Sequence, residues 1–207
     1  MTWHDISVLV HPGTPPWPGD TPFDCRWAWQ MAHGASVNVS CISGSPHVGT
    51  HADAPLHVRE GAPASEWLPV DAFLGHAWVA DVRSCVGAIE VEALHLPDGP
   101  ISRVLLRTGS TVAEGSFPAS WPSVSTRCIA ELASRGLKLL GVDCPSVDDR
   151  ESKTLENHHA LFAAGACVLE NLDLRAVPAG AGELLALPLR LRGLDAAPVR
   201  ALFRHTA

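Results

Sequence analysis

Apolar and polar positions change rhythm midway along the chain. In the first half, short apolar runs are cut by glycine and proline: residues 5–10 (DISVLV), 25–31 (CRWAWQM), 36–43 (SVNVSCIS) and 76–82 (HAWVADV). β-Branched and aromatic residues between turn formers predict strands there. The run WPGD at 17–20 predicts a tight turn. Proline presets φ at its second position and glycine accepts positive φ at its third.

The second half alternates. Residues 103–108 (RVLLRT), 137–143 (LKLLGVD), 166–172 (ACVLENL) and 182–191 (GELLALPLRL) read as strands. Between them, residues 125–135 predict a helix with Ser125 as N-cap, Ile129, Leu132 and Ala133 on one face, and Gly136 as its stop. A second helix is expected over about 153–164, ended by Gly165. Strand–helix alternation predicts an α/β core, with the strand-rich N-terminal half layered beside it. A chain of 207 residues suits one domain spanning 1–207.

Composition narrows the function classes. The net charge is −7 with only 15 Lys plus Arg and no basic cluster, so neither nucleic acid nor an acidic membrane is an expected partner. No apolar run reaches the roughly 20 residues of a membrane span. The N-terminus lacks a secretion signal's basic and apolar regions, so a cytoplasmic protein is expected. None of the six cysteines forms a C-x-x-C pair; they read as small buried apolar residues in a reducing compartment.

One run does not fit a plain core. Residues 47–57 read HVGTHADAPLH, placing His47, His51, Asp53 and His57 within one turn-rich segment. Gly49 and Pro55, with β-branched Val48 and Thr50, disfavour a helix. All four polar groups occupy odd positions, so an extended backbone would present them on one face, and a loop could converge them less regularly. Imidazole plus carboxylate suits a borderline divalent metal, zinc foremost, with manganese or iron also compatible. Further ligands are available downstream. Leu155, His158, His159 and Phe162 fall at i, i+3, i+4 and i+7, the spacing of an inward-facing stripe. Glu170 lies among apolar residues, where a carboxylate must be paired, protonated or metal-bound. Asp148 and Asp149 read as solvated loop charges. No G-x-S-x-G nucleophile elbow occurs, which argues against serine-triad hydrolysis.

The run at 47–57 matches H-x-G-T-H-x-D-x-P-x-H, and on it the chain resembles the metal-dependent cyclase-like hydrolases. DISVLVHPGTPPWPGDTPF (5–23), ESKTLENHHALFAAGACVLENL (151–172) and ELLALPLRLRGLDAAPVRALF (183–203) extend the likeness over nearly the whole chain. Among these hydrolases it is most similar to the bacterial kynurenine formamidases, or arylformamidases. The resemblance implies a swivelling β/β/α fold, assembled as a homodimer. It implies two metal ions per chain: one held by His47, His51 and Asp53, and a second reached by Asp53 and completed by His158 and Glu170. The spacing to Glu170 selects His158 over His159. His57 would be the acid/base, and Trp17 would line the pocket of a small aryl formamide.

The implied reaction is hydrolysis of N-formyl-L-kynurenine to L-kynurenine and formate, with hydroxide generated at the metal attacking the formyl carbon. His57 would pass the proton to the departing aryl amine, since imidazole is the side chain that ordinarily changes charge near neutral pH. Two other readings share the ligands: hydrolysis of isatin or a cyclic imide, and a non-catalytic protein in which metal only staples the fold. A closed structural site spends every position on protein ligands, whereas His57 is a spare acid/base group, which favours an enzyme.

Overall fold

A computed structural model describes residues 2–206. In chain order its regular elements are β1 (His4–Asp5), β2 (Asp24–Trp29), β3 (Val39–Ser43), β4 (His51–Asp53), β5 (Leu74–Asp81), β6 (Arg103–Arg107), α1 (Thr126–Ser134), β7 (Leu139–Val142), α2 (Glu156–Ala163), β8 (Cys167–Glu170), β9 (Gly180–Leu185), β10 (Ala196–Pro198) and β11 (Leu202–His205). Nine strands form one sheet in the order β1-β11-β9-β5-β6-β7-β8-β4-β10, and β2 pairs with β3 apart from it. The β5–β8 stretch is parallel, and every other pair is antiparallel.

Of the parallel strands, β6, β7 and β8 are buried on both faces, which explains their near-continuous apolar sequences. Along β6 the side chains alternate with period two. Val104 and Leu106 pack with Ile129 and Leu132 of α1 and Leu161 of α2. Leu105 joins Phe73, Leu184 and Phe203 on the opposite face. Each such leucine, fully buried, contributes about 1.5–3 kcal/mol. Helix α1 forms as its sequence predicts: the Ser125 hydroxyl accepts from the Cys128 N–H at 3.0 Å, and Gly136 ends it at φ +91°. This is the mixed α/β class expected from the alternation.

Several boundaries differ from expectation. The predicted strand at 5–10 is regular only over His4–Asp5, with an isolated bridge from Ser7 to Leu172. Helix α2 starts at Glu156 rather than near 153, because Leu155 sits in the left-handed region at φ 48°. The apolar run 182–191 stops being a strand at Leu185 and reaches Pro188 only as an isolated bridge. The β10 and β11 segments follow it without a recognisable alternation. Cysteine burial holds for Cys128, Cys144 and Cys167 but fails for Cys25, Cys41 and Cys85. Cys25 and Cys41 lie on the β2–β3 hairpin, whose residues are almost all exposed.

Candidate metal centre

The site is built on the shortest interior strand. β4 lies between β8 and β10, with His51 opposite Glu170 and Asp53 opposite both Val168 and Ala196. Period two puts His51 and Asp53 on one face, as the odd-number spacing predicts. The extended path does not continue beyond them. Gly49 adopts φ +74°, and a Cβ there would come within 2.4 Å of the Val10 side chain. Only glycine meets both demands. The resulting turn folds His47 back over the strand. On the other side, Pro55–His57 forms a single 3₁₀ turn that carries His57 to the same place. The polar groups therefore converge through a turn, a strand and a 3₁₀ turn, rather than along one extended face.

When the rings are neutral, their partners fix which nitrogen of each carries the proton. His51 Nδ1 donates to the Gly49 carbonyl at 2.9 Å, which leaves Nε2 as a lone pair. His47 Nε2 donates to Asp195 Oδ2 at 2.9 Å, which leaves Nδ1 bare. His158 Nδ1 donates to Asp148 Oδ2 at 2.6 Å, which again frees Nε2. The bare atoms face one another: His47 Nδ1 and His51 Nε2 are 3.1 Å apart, and Asp53 Oδ1 lies 3.1 and 3.4 Å from them. On the far side, His158 Nε2 is 3.2 Å from Asp53 Oδ2 and 3.4 Å from Glu170 Oε1. Glu170 Oε2 reaches back to His51 Nε2 at 3.6 Å.

A set of acceptors this close repels itself unless something positive lies between them. Asp53 Oδ1 is fully buried without a hydrogen-bond donor, which is costly for a carboxylate. Protons are one remedy. Burial opposes charge on His47, yet its bonds to Asp195 and Asp53 prevail and push it up to about 10. Burial likewise opposes charge on His158, and its bonds to Asp148, Asp53 and Glu170 still push it well above the usual imidazole range. Burial works against the Asp53 charge too, but the facing imidazoles hold its carboxyl well below the ordinary range. A divalent cation is the other remedy, and it uses every lone pair at once. The donor set of neutral imidazole and carboxylate fits such an ion.

The family model described as "Putative cyclase" matches residues 4–149. This chain belongs to the cyclase family. A kynurenine formamidase of Bordetella avium is 44% identical to this chain over 202 residues, covering 97% of each chain. A solved structure described as a potential metal-dependent hydrolase with cyclase activity is 27% identical, with a TM-score of 0.84 over 99% of both chains. Isatin hydrolase A from Labrenzia aggregata shares the fold at 23% identity, with a TM-score of 0.81 over 98% of this chain and 93% of that one.

The site opens into a cavity of about 290 Å³, with His47, His51, His57, His158 and Glu170 among its lining residues and Trp17 and Phe117 forming an aromatic wall. Trp17 begins the turn expected at WPGD, closed by the Asp20 N–H donating to the Trp17 carbonyl at 2.9 Å. Its indole meets Phe117 edge-on at 5.4 Å and Trp121 at 6.0 Å. It remains 38% exposed, so the wall is accessible from the cavity mouth. Leu155 and Asn171, both in the left-handed region without being glycine, also line the cavity. Backbone strain of this kind, of order 1–3 kcal/mol per residue, gathers at functional sites.

The residues named as ligands or acid/base, His47, His51, Asp53, His57, His158 and Glu170, all stand here, and His159, passed over in favour of His158, does not. That side chain is exposed on the outer face of α2, while Asn157, His158 and Leu161 form the buried face. The inward stripe is thus one position out of phase with the expectation, because the buried face is chosen by what the helix packs against: Asn157 bonds the Val124 and Val147 carbonyls and His158 bonds Asp148. Asp148 is the second correction. It is not solvated but buried, and it caps α2 by accepting from the Asn157 and His158 N–H groups at 2.8 and 3.2 Å. Leu155 provides no side-chain cap, so Asp148 takes over from the preceding loop. The neighbouring Asp149 is exposed as expected. Asp195, whose carboxylate contacts His47 and His57, is not marked in the sequence. No local spacing marks it, since its imidazole partners arrive from the other end of the chain.

Proposed function

We propose that this chain is a metal-dependent hydrolase that converts N-formyl-L-kynurenine to L-kynurenine and formate. The chemistry rests on one observation: imidazole nitrogens and buried carboxylate oxygens converge at the base of an aromatic-walled cavity. The substrate class is drawn from the Bordetella avium relative, at 44% identity over 97% of both chains. The isatin hydrolase is similar in fold alone, which gives its substrate less support.

His47, His51 and Asp53 would hold one ion, and Asp53, His158 and Glu170 a second. The two oxygens of Asp53, aimed at different imidazole groups, support this binuclear reading. Zinc suits the nitrogen and oxygen donors best, with manganese and iron compatible. Such ions acidify water and polarise a carbonyl. Trp17 and Phe117 hold the aryl ring, which brings the formyl group to the ligands below. His57 is only partly covered, with its side chain 29% exposed, and its Nδ1 donates to Asp195 Oδ2 at 3.3 Å. Its Nε2 is therefore the atom that takes a proton from the attacking water. The same atom returns it to the aryl nitrogen, so that the amine leaves neutral and the carbonyl carbon departs as formate.

We also take residues 1–207 as one catalytic domain, a reading supported by the pairing of β1 with β11 from opposite ends of the chain. A homodimer is supported by the β2–β3 hairpin, which carries exposed Trp27, Trp29 and Ile42 and no covering layer. An isolated two-stranded ribbon is only marginally stable in water. Light scattering should give twice the chain mass. A cytoplasmic setting is supported by six unpaired cysteines. Among the described residues no helix is long and apolar enough to cross a membrane.

The deciding experiment is turnover by metal-reconstituted protein of N-formylkynurenine, formanilide and isatin side by side. Formylkynurenine should have the highest kcat/KM. Preference for isatin would overturn the assignment.

A further inference from the structure

Asp195 stands immediately before β10, and its backbone is tied to the end of β4 by the Ala54 N–H donating to the Asp195 carbonyl at 2.8 Å. Ala196, the next residue, pairs with Asp53. The strand that carries the central carboxylate therefore also fixes where the Asp195 side chain starts. Its Oδ2 accepts from two imidazoles at once: His47 Nε2 at 2.9 Å and His57 Nδ1 at 3.3 Å. The two rings lie 4.4 Å apart between centroids. One of them faces the metal ligands and the other is the acid/base.

A carboxylate that is 42% exposed needs no protein partner to remain satisfied, because water would serve it. What the arrangement does is remove a choice from each ring. A neutral imidazole carries its proton on either nitrogen, and the partner at one nitrogen decides the other. With Asp195 accepting at His47 Nε2, the bare Nδ1 is directed at Asp53 and His51. With Asp195 accepting at His57 Nδ1, the bare Nε2 is left for proton transfer. We propose that Asp195 is a positioning residue that sets the tautomers of His47 and His57 together, coupling metal binding to proton transfer through one oxygen atom. For His57 this rests on the formamidase reading above; for His47 it needs only that a metal binds.

The test compares Asp195→Ala with Asp195→Asn in zinc-loaded protein. Alanine removes the acceptor. Asparagine keeps a carbonyl oxygen able to accept from both rings, without the charge. Loss of an outer partner to a metal-bound histidine typically costs 10–100-fold in metal affinity or activity. Asp195→Ala should weaken zinc in a chelator competition by about that factor and lower kcat similarly, with KM little changed. Asp195→Asn should recover a large part of both. The ¹⁵N spectrum of the histidine side chains reads the tautomers directly. His57 should be Nδ1-protonated in the parent protein and in Asp195→Asn, and mixed in Asp195→Ala. Unchanged tautomers and unchanged zinc affinity in Asp195→Ala would overturn the proposal, as would a loss of thermal stability alone. If the parent protein fails to hydrolyse formylkynurenine, the functional reading falls, but zinc affinity and the ¹⁵N spectra still decide the role of Asp195.

Discussion

Asp53 Oδ2 lies 3.2 Å from His158 Nε2, so a carboxylate from β4 and an imidazole from α2 meet at one buried point. The other oxygen of Asp53 faces His47 and His51. One residue thus stands between His47 and His51 on one side and His158 on the other. Asp53→Ala should strip both ions and abolish hydrolysis. Elemental analysis of the parent protein should give two ions per chain, and full activity with a single ion would sink the binuclear reading.

The two adjacent histidines of α2 can be told apart by substitution. His158→Ala should lower metal content and activity together. His159 is exposed, so His159→Ala should leave both intact and shift stability by no more than about 0.5 kcal/mol. Asp148→Asn should weaken metal binding by about 10–100-fold, because it disturbs the bond that orients His158. Metal loss on changing His159 rather than His158 would mean that the register of α2 had been misread.

Trp17 packs edge-on against Phe117 and Trp121 and leaves part of its ring to the cavity. Stacking one aromatic ring is worth about 0.5–1.5 kcal/mol beyond area burial. Trp17→Ala should therefore reduce kcat/KM for formylkynurenine by roughly 2–13-fold, at ~1.4 kcal/mol per decade, and reduce it much less for a small aliphatic formamide. Equal losses on both would make Trp17 a scaffold residue of the turn.

His57 offers the sharpest separation between binding and chemistry. Its replacement by alanine should leave metal content unchanged and cost about 10²–10⁴-fold in rate. The loss should be larger for an anilide, whose nitrogen must be protonated to leave, than for a phenyl formate ester, whose oxygen departs as an anion. A His57→Ala protein that comes out metal-free would instead identify His57 as a ligand. One of its ring nitrogens is near enough to the Asp53 and His158 donor atoms, within 4.8 Å, for that to be a real contest.

Protons and metal compete for the same lone pairs. In metal-free protein His47 is raised from 6.5 to about 10, so its contribution to stability is complete below about pH 6.5 and disappears as the pH climbs through about 10. Loading metal at pH 8 must expel that proton. Calorimetric titration in buffers of different ionisation enthalpy should show proton release on binding, and apparent affinity should rise from pH 7 towards 10. A heat of binding independent of the buffer would contradict this.

The sequence by itself determined the ligand chemistry and much of the α/β core. Three imidazoles and a carboxylate in an eleven-residue run, threaded with Gly49 and Pro55, leave few alternatives to a cation, because such groups are expensive to bury unpaired. The apolar runs of β6 and β7 likewise announce parallel strands covered on both faces. Tertiary structure decided everything that depends on partners distant in sequence. Asp148 carries no local mark that distinguishes it from Asp149, yet it is the one that caps α2 and orients His158. Asp195 becomes part of the site only because β10 pairs with β4. His159 faces outward because the inward face of α2 is chosen by distant partners, the Val124 and Val147 carbonyls for Asn157 and Asp148 for His158, which a periodicity of side chains cannot register.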